Sequence, residues 1–86
     1  PDYIEKKINN QKYLLSAKLK VSYLNEKYNF ELPESDDYDS IGGMLLKYLN
    51  QMPKKGEKIS IGNHIFISSK VTDTSIEEVI FMLNNK

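Results

Sequence analysis

The stretch that decides the fold is DYDSIGGMLLKYLNQMP, at residues 37–53. Its apolar side chains recur at i, i+3, i+4, i+7, i+8 and i+11, a spacing that lines one face of an α-helix. They are Ile41, Met44, Leu45, Tyr48, Leu49 and Met52. Asp39 or Ser40 can act as the N-cap, because a side-chain oxygen there accepts a free N–H of the first turn. Pro53 lacks a backbone N–H, so we expect the helix to end at about Met52.

Two adjacent glycines, Gly42 and Gly43, occupy the first turn of this helix. Each costs a helix about 1 kcal/mol relative to alanine. Their presence indicates that another backbone or a ligand comes very close, and packing against a neighbouring strand is the favoured interpretation. The alternative is a phosphate site at the helix N-terminus. Aspartates just upstream would repel phosphate, and neither a GxGxxG nor a P-loop motif is present.

Upstream of this helix, the sequence predicts a hairpin and a short helix. Residues 4–8 and 12–17 carry β-branched and aromatic side chains on either side of an Asn-Asn-Gln turn at 9–11. Residues 20–28 have apolar side chains at helical spacing. Asn29 follows as a plausible stop, since asparagine tolerates the left-handed conformation.

Downstream, a second hairpin is predicted. Ile59 and Ile61 alternate with polar residues, and Gly62-Asn63 has the residues of a two-residue turn. The following strand covers residues 64–71. Its faces are His64, Phe66 and Ser68 on one side and Ile65, Ile67, Ser69 and Val71 on the other. The second face is the more apolar, but the pattern leaves open which one meets the core.

The last apolar segment, residues 75–83, has two interpretations. Four side chains match a helical period, whereas a run of β-branched and aromatic residues favours a strand. The four are Ile76, Val79, Ile80 and Leu83. The pattern alone slightly favours a helix.

Composition excludes several classes of function. Eighty-six residues with 40% hydrophobic and 28% charged content are typical of one globular domain. Twelve lysines, no arginine and zero net charge argue against nucleic-acid binding. The lack of cysteine removes disulfides and thiolate chemistry. No apolar run approaches the ~18 residues of a membrane span, so we expect no direct membrane insertion by this chain. Because it starts without methionine, we expect a fragment of a longer protein.

The residues that could carry chemistry are few. Glu31, Glu34, Asp36, Asp37 and Asp39 form an acidic run that could bind a divalent cation. The spacing does not fit an EF-hand, and a solvated loop that leads into a helix explains the same residues. His64 is the only histidine, so a zinc site lacks partners. The tyrosines are expected to pack their rings in the core or an interface. We therefore expect no enzyme activity, no metal site and no cofactor.

The central block resembles the CorC/HlyC, or transporter-associated, domain family. That family's pattern is Leu-Pro, an acidic stretch, Tyr-Asp-Thr-Leu-Gly-Gly, an amphipathic helix, Pro-x-x-Gly and a strand hairpin. This chain has LPESDDYDSIGG at residues 32–43 and PKKG at 53–56, with a matching LNE at 24–26. The similarity covers about residues 12–82. The chain departs from the pattern at Ala17, where glycine is usual, and also at Lys20 and His64.

The resemblance implies an α+β fold in which two helices pack on a small, mainly antiparallel sheet in the order β-β-α-α-β-β-β, similar to part of flavin-binding enzymes. It also implies that the last segment is a strand. Residues 1–86 would form a single domain on the cytoplasmic side of the bacterial inner membrane, within a larger membrane protein. Its partners would be a CBS-domain pair and a membrane domain of the same chain, with a homodimer as a further state.

The functional hypothesis follows from this resemblance. The chain would be a non-catalytic regulatory domain of a magnesium/cobalt efflux or hemolysin-related protein, modulating ion transport through contacts between domains. The predicted contact region is Asp37, Asp39, Ser40, Gly42 and Gly43. The alternative is a module that binds an adenine nucleotide or flavin, with unknown ligand-binding residues. A divalent-cation sensor is a third hypothesis.

Overall fold

The computed structural model describes residues 2–83 of the chain. Five strands form one antiparallel sheet in the order β1-β2-β5-β4-β3, and two helices are inserted between β2 and β3. The predicted α+β class and element order are confirmed. The elements are β1 (Glu5–Asn9), β2 (Lys12–Ser16), α1 (Val21–Tyr28), α2 (Ile41–Leu49), β3 (Lys58–Ile61), β4 (His64–Val71) and β5 (Ile76–Met82).

The last apolar segment is the central strand of the sheet. β5 pairs with β2 on one side and with β4 on the other. Val79 and Phe81 of β5 face the core, while Ile80 and Met82 lie half-buried on the outer face. Because apolar residues thus occur on both faces, the sequence does not show simple alternation. This explains why the helical spacing of residues 75–83 was misleading, whereas the strand implied by the family resemblance is confirmed.

One core lies between the sheet and the two helices. Leu15, Phe66, Val79 and Phe81 point from the sheet into it, and each is completely buried. The helices contribute Leu24, Ile41, Met44 and Leu45, which are equally buried. Complete burial of such a side chain stabilises the fold by about 1.5–3 kcal/mol.

The inner face of β4 is the less apolar one, with Phe66 and Ser68 at 0% exposure. A buried serine is tolerated because its hydroxyl donates to the carbonyl of Lys54 and accepts the Glu57 N–H at 3.2 Å. Both partners lie in the turn before β3. Ile65 and Ile67 therefore lie on the outer face, where they are half-buried.

The helix boundaries differ slightly from the predicted ones. Ser40 is the N-cap of α2 and accepts the Gly43 N–H at 3.1 Å. The helix ends at Leu49, not at about Met52 as the proline suggested. Asn50 adopts the left-handed conformation (φ 61°) and its N–H donates to Leu46, which closes the helix three residues before the proline. At α1, Asn29 closes the helix in the same way, as predicted.

Candidate functional site

The segment between the two helices contains most of the predicted contact region. Asn25 of α1 holds its start: Leu32 N–H donates to the Asn25 side-chain oxygen, and the amide nitrogen donates to the Leu32 carbonyl, both at 2.8 Å. Further along, the Tyr38 hydroxyl donates to the Pro33 carbonyl at 2.6 Å. These bonds give the acidic loop a defined shape.

Within the predicted contact region, only part of the surface is accessible. Asp37 and Asp39 are exposed, and Ser40 is half-buried because its hydroxyl caps α2. Gly42 is buried. The structure therefore brings the five residues together along one short segment, but presents mainly the two aspartates to a partner.

The two glycines are explained by packing within the chain. The Gly42 N–H donates to the carbonyl of Ala17, just past the end of β2, at 2.8 Å. A Cβ on Gly42 would lie 3.3 Å from that carbonyl oxygen, and one on Gly43 would lie 3.1 Å from the Tyr38 Cβ. The favoured interpretation, close approach of a neighbouring backbone, is confirmed for Gly42. The N–H that a bound phosphate would need there is already used.

The acidic run is a solvated loop. Glu31, Glu34, Asp36, Asp37 and Asp39 are all exposed. Glu34 accepts an Asn25 amide hydrogen bond at 2.9 Å, and Asp37 lies 3.3 Å from the Lys47 ammonium. Across the described part of the chain, no three Asp, Glu or His side chains come together in a group that could hold a metal ion.

A groove that the sequence did not reveal lies beside this loop. It has a volume of about 460 Å³. Its lining residues are Pro33, Glu34, Ser35, Tyr38, Lys47 and Tyr48. Tyr48 was placed on the buried face of the helix by its spacing, but it is 53% exposed. Burial, followed by the nearby Tyr48, Asp37 and Glu34, raises the pKa of the Tyr38 hydroxyl above its ordinary value.

The side chain of His64 is held by contacts within the domain. Its Nε2 lies 2.9 Å from the Phe30 carbonyl, and its ring packs edge-on against Phe81 at 5.3 Å between centroids. Nδ1 is buried and has no hydrogen-bond partner among the described residues. The histidine thus ties the start of β4 to the segment after α1.

A second polar cluster joins β1 to α1. The Glu5 carboxylate accepts hydrogen bonds from the hydroxyls of Tyr23, at 2.7 Å, and of Tyr28, and from the Lys27 ammonium at 2.8 Å. Burial alone would raise the pKa of Glu5, but the bonds from Lys27, Tyr28 and Tyr23 outweigh it and lower the pKa. Sequence reasoning missed this cluster because its members are 18 to 23 residues apart.

Comparison with known proteins links this arrangement to one family. The sequence model of one protein family, described as the transporter associated domain (CorC_HlyC), matches residues 6–85. The hemolysin C of Rickettsia prowazekii is 33% identical over 82 residues, which make up 93% of this chain and 27% of that protein. The chain therefore spans about a quarter of the length of this curated relative.

Solved structures show the same fold. A Neisseria meningitidis region assigned to a Mg²⁺ and Co²⁺ transporter (CorC) superposes with a TM-score of 0.84 at 19% identity, covering 92% of this chain and 96% of that one. A Xylella fastidiosa hemolysin domain, solved in complex with Mg²⁺ and Mn²⁺, gives 0.79 at 16% identity, with coverages of 95% and 99%. Among residues 2–83, neither helix has the length and apolar character needed to cross a bilayer.

Proposed function

Because the chain belongs to the CorC_HlyC transporter-associated domain family, we propose that it is a non-enzymatic regulatory domain of an ion-transporting membrane protein. The observation that carries this proposal is the family match over residues 6–85, together with a curated relative in which the matching region is 27% of the protein. By analogy with that relative, the domain would act through neighbouring domains of a longer protein, which we propose to be a CBS-domain pair and a membrane domain on the cytoplasmic side of the inner membrane.

The chemistry of the described residues supports a role without catalysis. A general base needs a free, titratable atom within reach of a substrate. His64 Nε2 lies within hydrogen-bond distance of the Phe30 carbonyl, and Nδ1 is buried, out of reach of a substrate in solution. The Glu5 carboxylate already accepts hydrogen bonds from three donors. The transported ion would be magnesium or cobalt, in line with the assignment of the Neisseria protein.

The contact would be made by residues 37–43 at the acidic loop. Asp37 and Asp39 are exposed there and carry two negative charges on a backbone held by the Tyr38 and Ser40 hydrogen bonds. A basic surface on the neighbouring domain would complement them, and reversing their charge would place like charges across the interface, which is unfavourable. A change of state in the neighbour that moves this basic surface would shift the transport equilibrium.

The test is to measure, by isothermal titration calorimetry, the dissociation constant of the complex between the 86-residue chain and the separately produced CBS pair. The double variant Asp37→Lys with Asp39→Lys reverses the charge of the contact without touching the core. We expect the dissociation constant to rise about 10-fold, typical of losing and reversing exposed charges at an interface. Asp73→Lys with Glu26→Lys, at exposed positions in the turn before β5 and on α1, changes the net charge by the same amount and is the matched control. An unchanged dissociation constant for the double variant would remove this loop from the interface.

The groove favours a second candidate, binding of an adenine nucleotide or flavin. Its volume of about 460 Å³ falls within the usual range for ligand sites, and the rings of Tyr38 and Tyr48 could stack against a flat base. Titration with ATP and with FAD, followed by tyrosine fluorescence, tests it. Saturable binding that is lost in Tyr48→Ala supports this candidate. A flat titration at millimolar ligand excludes it and leaves the regulatory proposal unaffected.

A further inference from the structure

The outer face of the sheet, opposite the helices, carries an ordered row of side chains. The strand register aligns one residue from each strand: Lys6 of β1, Leu14 of β2, Ile80 of β5, Ile67 of β4 and Lys58 of β3. Three apolar side chains thus occupy the middle of the row, and a lysine stands at each end.

The neighbouring row is only partly similar, with two apolar side chains and a lysine on one side only. Met82 of β5 and Ile65 of β4 are paired, with Lys12 of β2 on one side and Ser60 of β3 on the other. All of these outer apolar side chains are half-buried, only because neighbours in the sheet shield them. Both helices lie on the other side, so no helix or strand of residues 2–83 covers this face. The apolar strip ends next to Ile80 at Glu78, which pairs with Ser16 of β2 and Lys70 of β4.

From this face we infer a docking site for an amphipathic helix that carries acidic residues on both sides of its apolar stripe. The apolar strip spans the three central strands, which cover about 10 Å at the usual spacing of 4.8 Å. An α-helix with its side chains has a diameter of about 10–12 Å. Lys6 and Lys58 are four strand spacings apart, about 19 Å, so a helix seated on the strip would lie between two ammonium groups.

A second copy of the chain fits this face less well. A two-fold sheet-on-sheet contact would bring Lys6, Lys12 and Lys58 of both copies close together, and like charges across an interface are unfavourable.

A membrane surface fits less well too. Proteins that insert into the lipid interface use projecting apolar and often aromatic side chains. Here the strip is flat and aliphatic. This proposal is independent of the acidic loop, which lies on the helix side.

Two synthetic 18-residue helical peptides test the inference. They share one leucine stripe, and its flanking positions are all Glu in one peptide and all Lys in the other. We expect the 86-residue chain to bind the Glu-flanked peptide about 10-fold more tightly at low salt, and the preference to shrink as salt screens the lysines. The chain is used alone because the solved relatives are chains of nearly the same extent.

Variants locate the binding surface. Lys6→Glu with Lys58→Glu should reverse the peptide preference, whereas Lys54→Glu with Lys55→Glu, in the exposed turn before β3, should preserve it. Ile67→Thr keeps a β-branched residue but removes the centre of the strip, and it should weaken binding of the Glu-flanked peptide. Amide chemical-shift changes should fall on β2, β4 and β5.

Several results would overturn the inference. One is the absence of binding at millimolar peptide, and another is equal affinity for the two peptides. A third is an equal effect of the two double lysine variants. Concentration-dependent dimerisation that Ile67→Thr abolishes would assign the face to a second copy. Binding to phosphatidylcholine–phosphatidylglycerol vesicles that the same variant abolishes would assign it to lipid.

Discussion

Replacing Glu5 by glutamine should destabilise the domain in a pH-dependent manner. Glutamine keeps the shape and one acceptor oxygen but removes the negative charge. The side chain of Glu5 is only 16% exposed and receives three hydrogen bonds from α1. Because β1 is an edge strand paired only with β2, this cluster is its main polar link to the helix layer.

The size of the effect follows from the donors. A hydrogen bond to a charged group contributes about 1.5–3 kcal/mol, against about 0.5–1.5 kcal/mol for a neutral pair. Tyr23 and Tyr28 can still donate to the glutamine oxygen, so what is lost is mainly the charge assistance, about 2 kcal/mol for the two hydroxyls. Lys27 is half exposed, and its ion pair with Glu5 is screened by water. For a domain of this size, each kcal/mol lowers the melting temperature by about 4–8 °C.

The pH dependence has a defined sign. The pKa of Glu5 is lower in the folded protein than its ordinary value. Its contribution to stability is therefore complete above the unfolded-state pKa of about 4.3 and is lost as the pH falls through the folded-state pKa. The stability difference between the wild type and Glu5→Gln should be largest at pH 7 and should shrink below pH 4.

Urea unfolding followed by circular dichroism at pH 7 and pH 3.5 measures this difference. Glu26→Gln is the matched control, since Glu26 lies on α1 and is exposed. Other carboxylates titrate in all three proteins and cancel in the comparison. The reasoning fails if Glu26→Gln is as destabilising as Glu5→Gln, or if the difference from wild type is the same at both pH values.

Substitutions at three further positions test the packing and hydrogen bonds around the loop and α2. Gly42→Val should cost about 1–3 kcal/mol by overpacking, because its Cβ would lie 3.3 Å from the Ala17 carbonyl oxygen and the Ala17 N–H is held by the Glu77 carbonyl at 2.9 Å. A stability equal to wild type in thermal melts would contradict this. Ser40→Ala removes the N-cap and should cost about 1 kcal/mol, which Ser40→Asp should largely restore. Asn25→Ala leaves the Leu32 N–H and carbonyl without their partner and should cost about 1–3 kcal/mol. Urea unfolding that matches wild type would show that these two hydrogen bonds do not stabilise the domain.

Local sequence patterns predicted much of the fold because their causes are local. The N-cap at Ser40, the stop at Asn29 and the turn at Gly62-Asn63 depend on residues within one or two turns of the chain. The end of α2 was predicted three residues too late for the same reason. Pro53 is a strong helix-stop signal, but Asn50 ends the helix before it. Asparagine is a weaker signal, because it takes the left-handed conformation less often than glycine does at the end of a helix.

The remaining features depend on distant partners. The burial of Ser68 requires the turn before β3 to supply a carbonyl and an N–H, which alternation along β4 cannot show. Glu5 appears as an ordinary strand glutamate until α1 folds above it. Tyr48 matched the apolar period of α2 but lies where the groove opens. The contact region at residues 37–43 stays a prediction, although the glycines that motivated it are accounted for by Ala17 and Tyr38.

The zero net charge of the chain hides a separation of charges that bears on how the domain could act. The acidic loop lies on the helix side, whereas Lys6, Lys12 and Lys58 flank an apolar strip on the outer side of the sheet. A domain with these two surfaces could join a basic neighbour to an acidic helix. Salt should weaken both contacts. Only the outer contact should also weaken when Ile67 loses its apolar character, so the two associations can be separated by experiment in one protein.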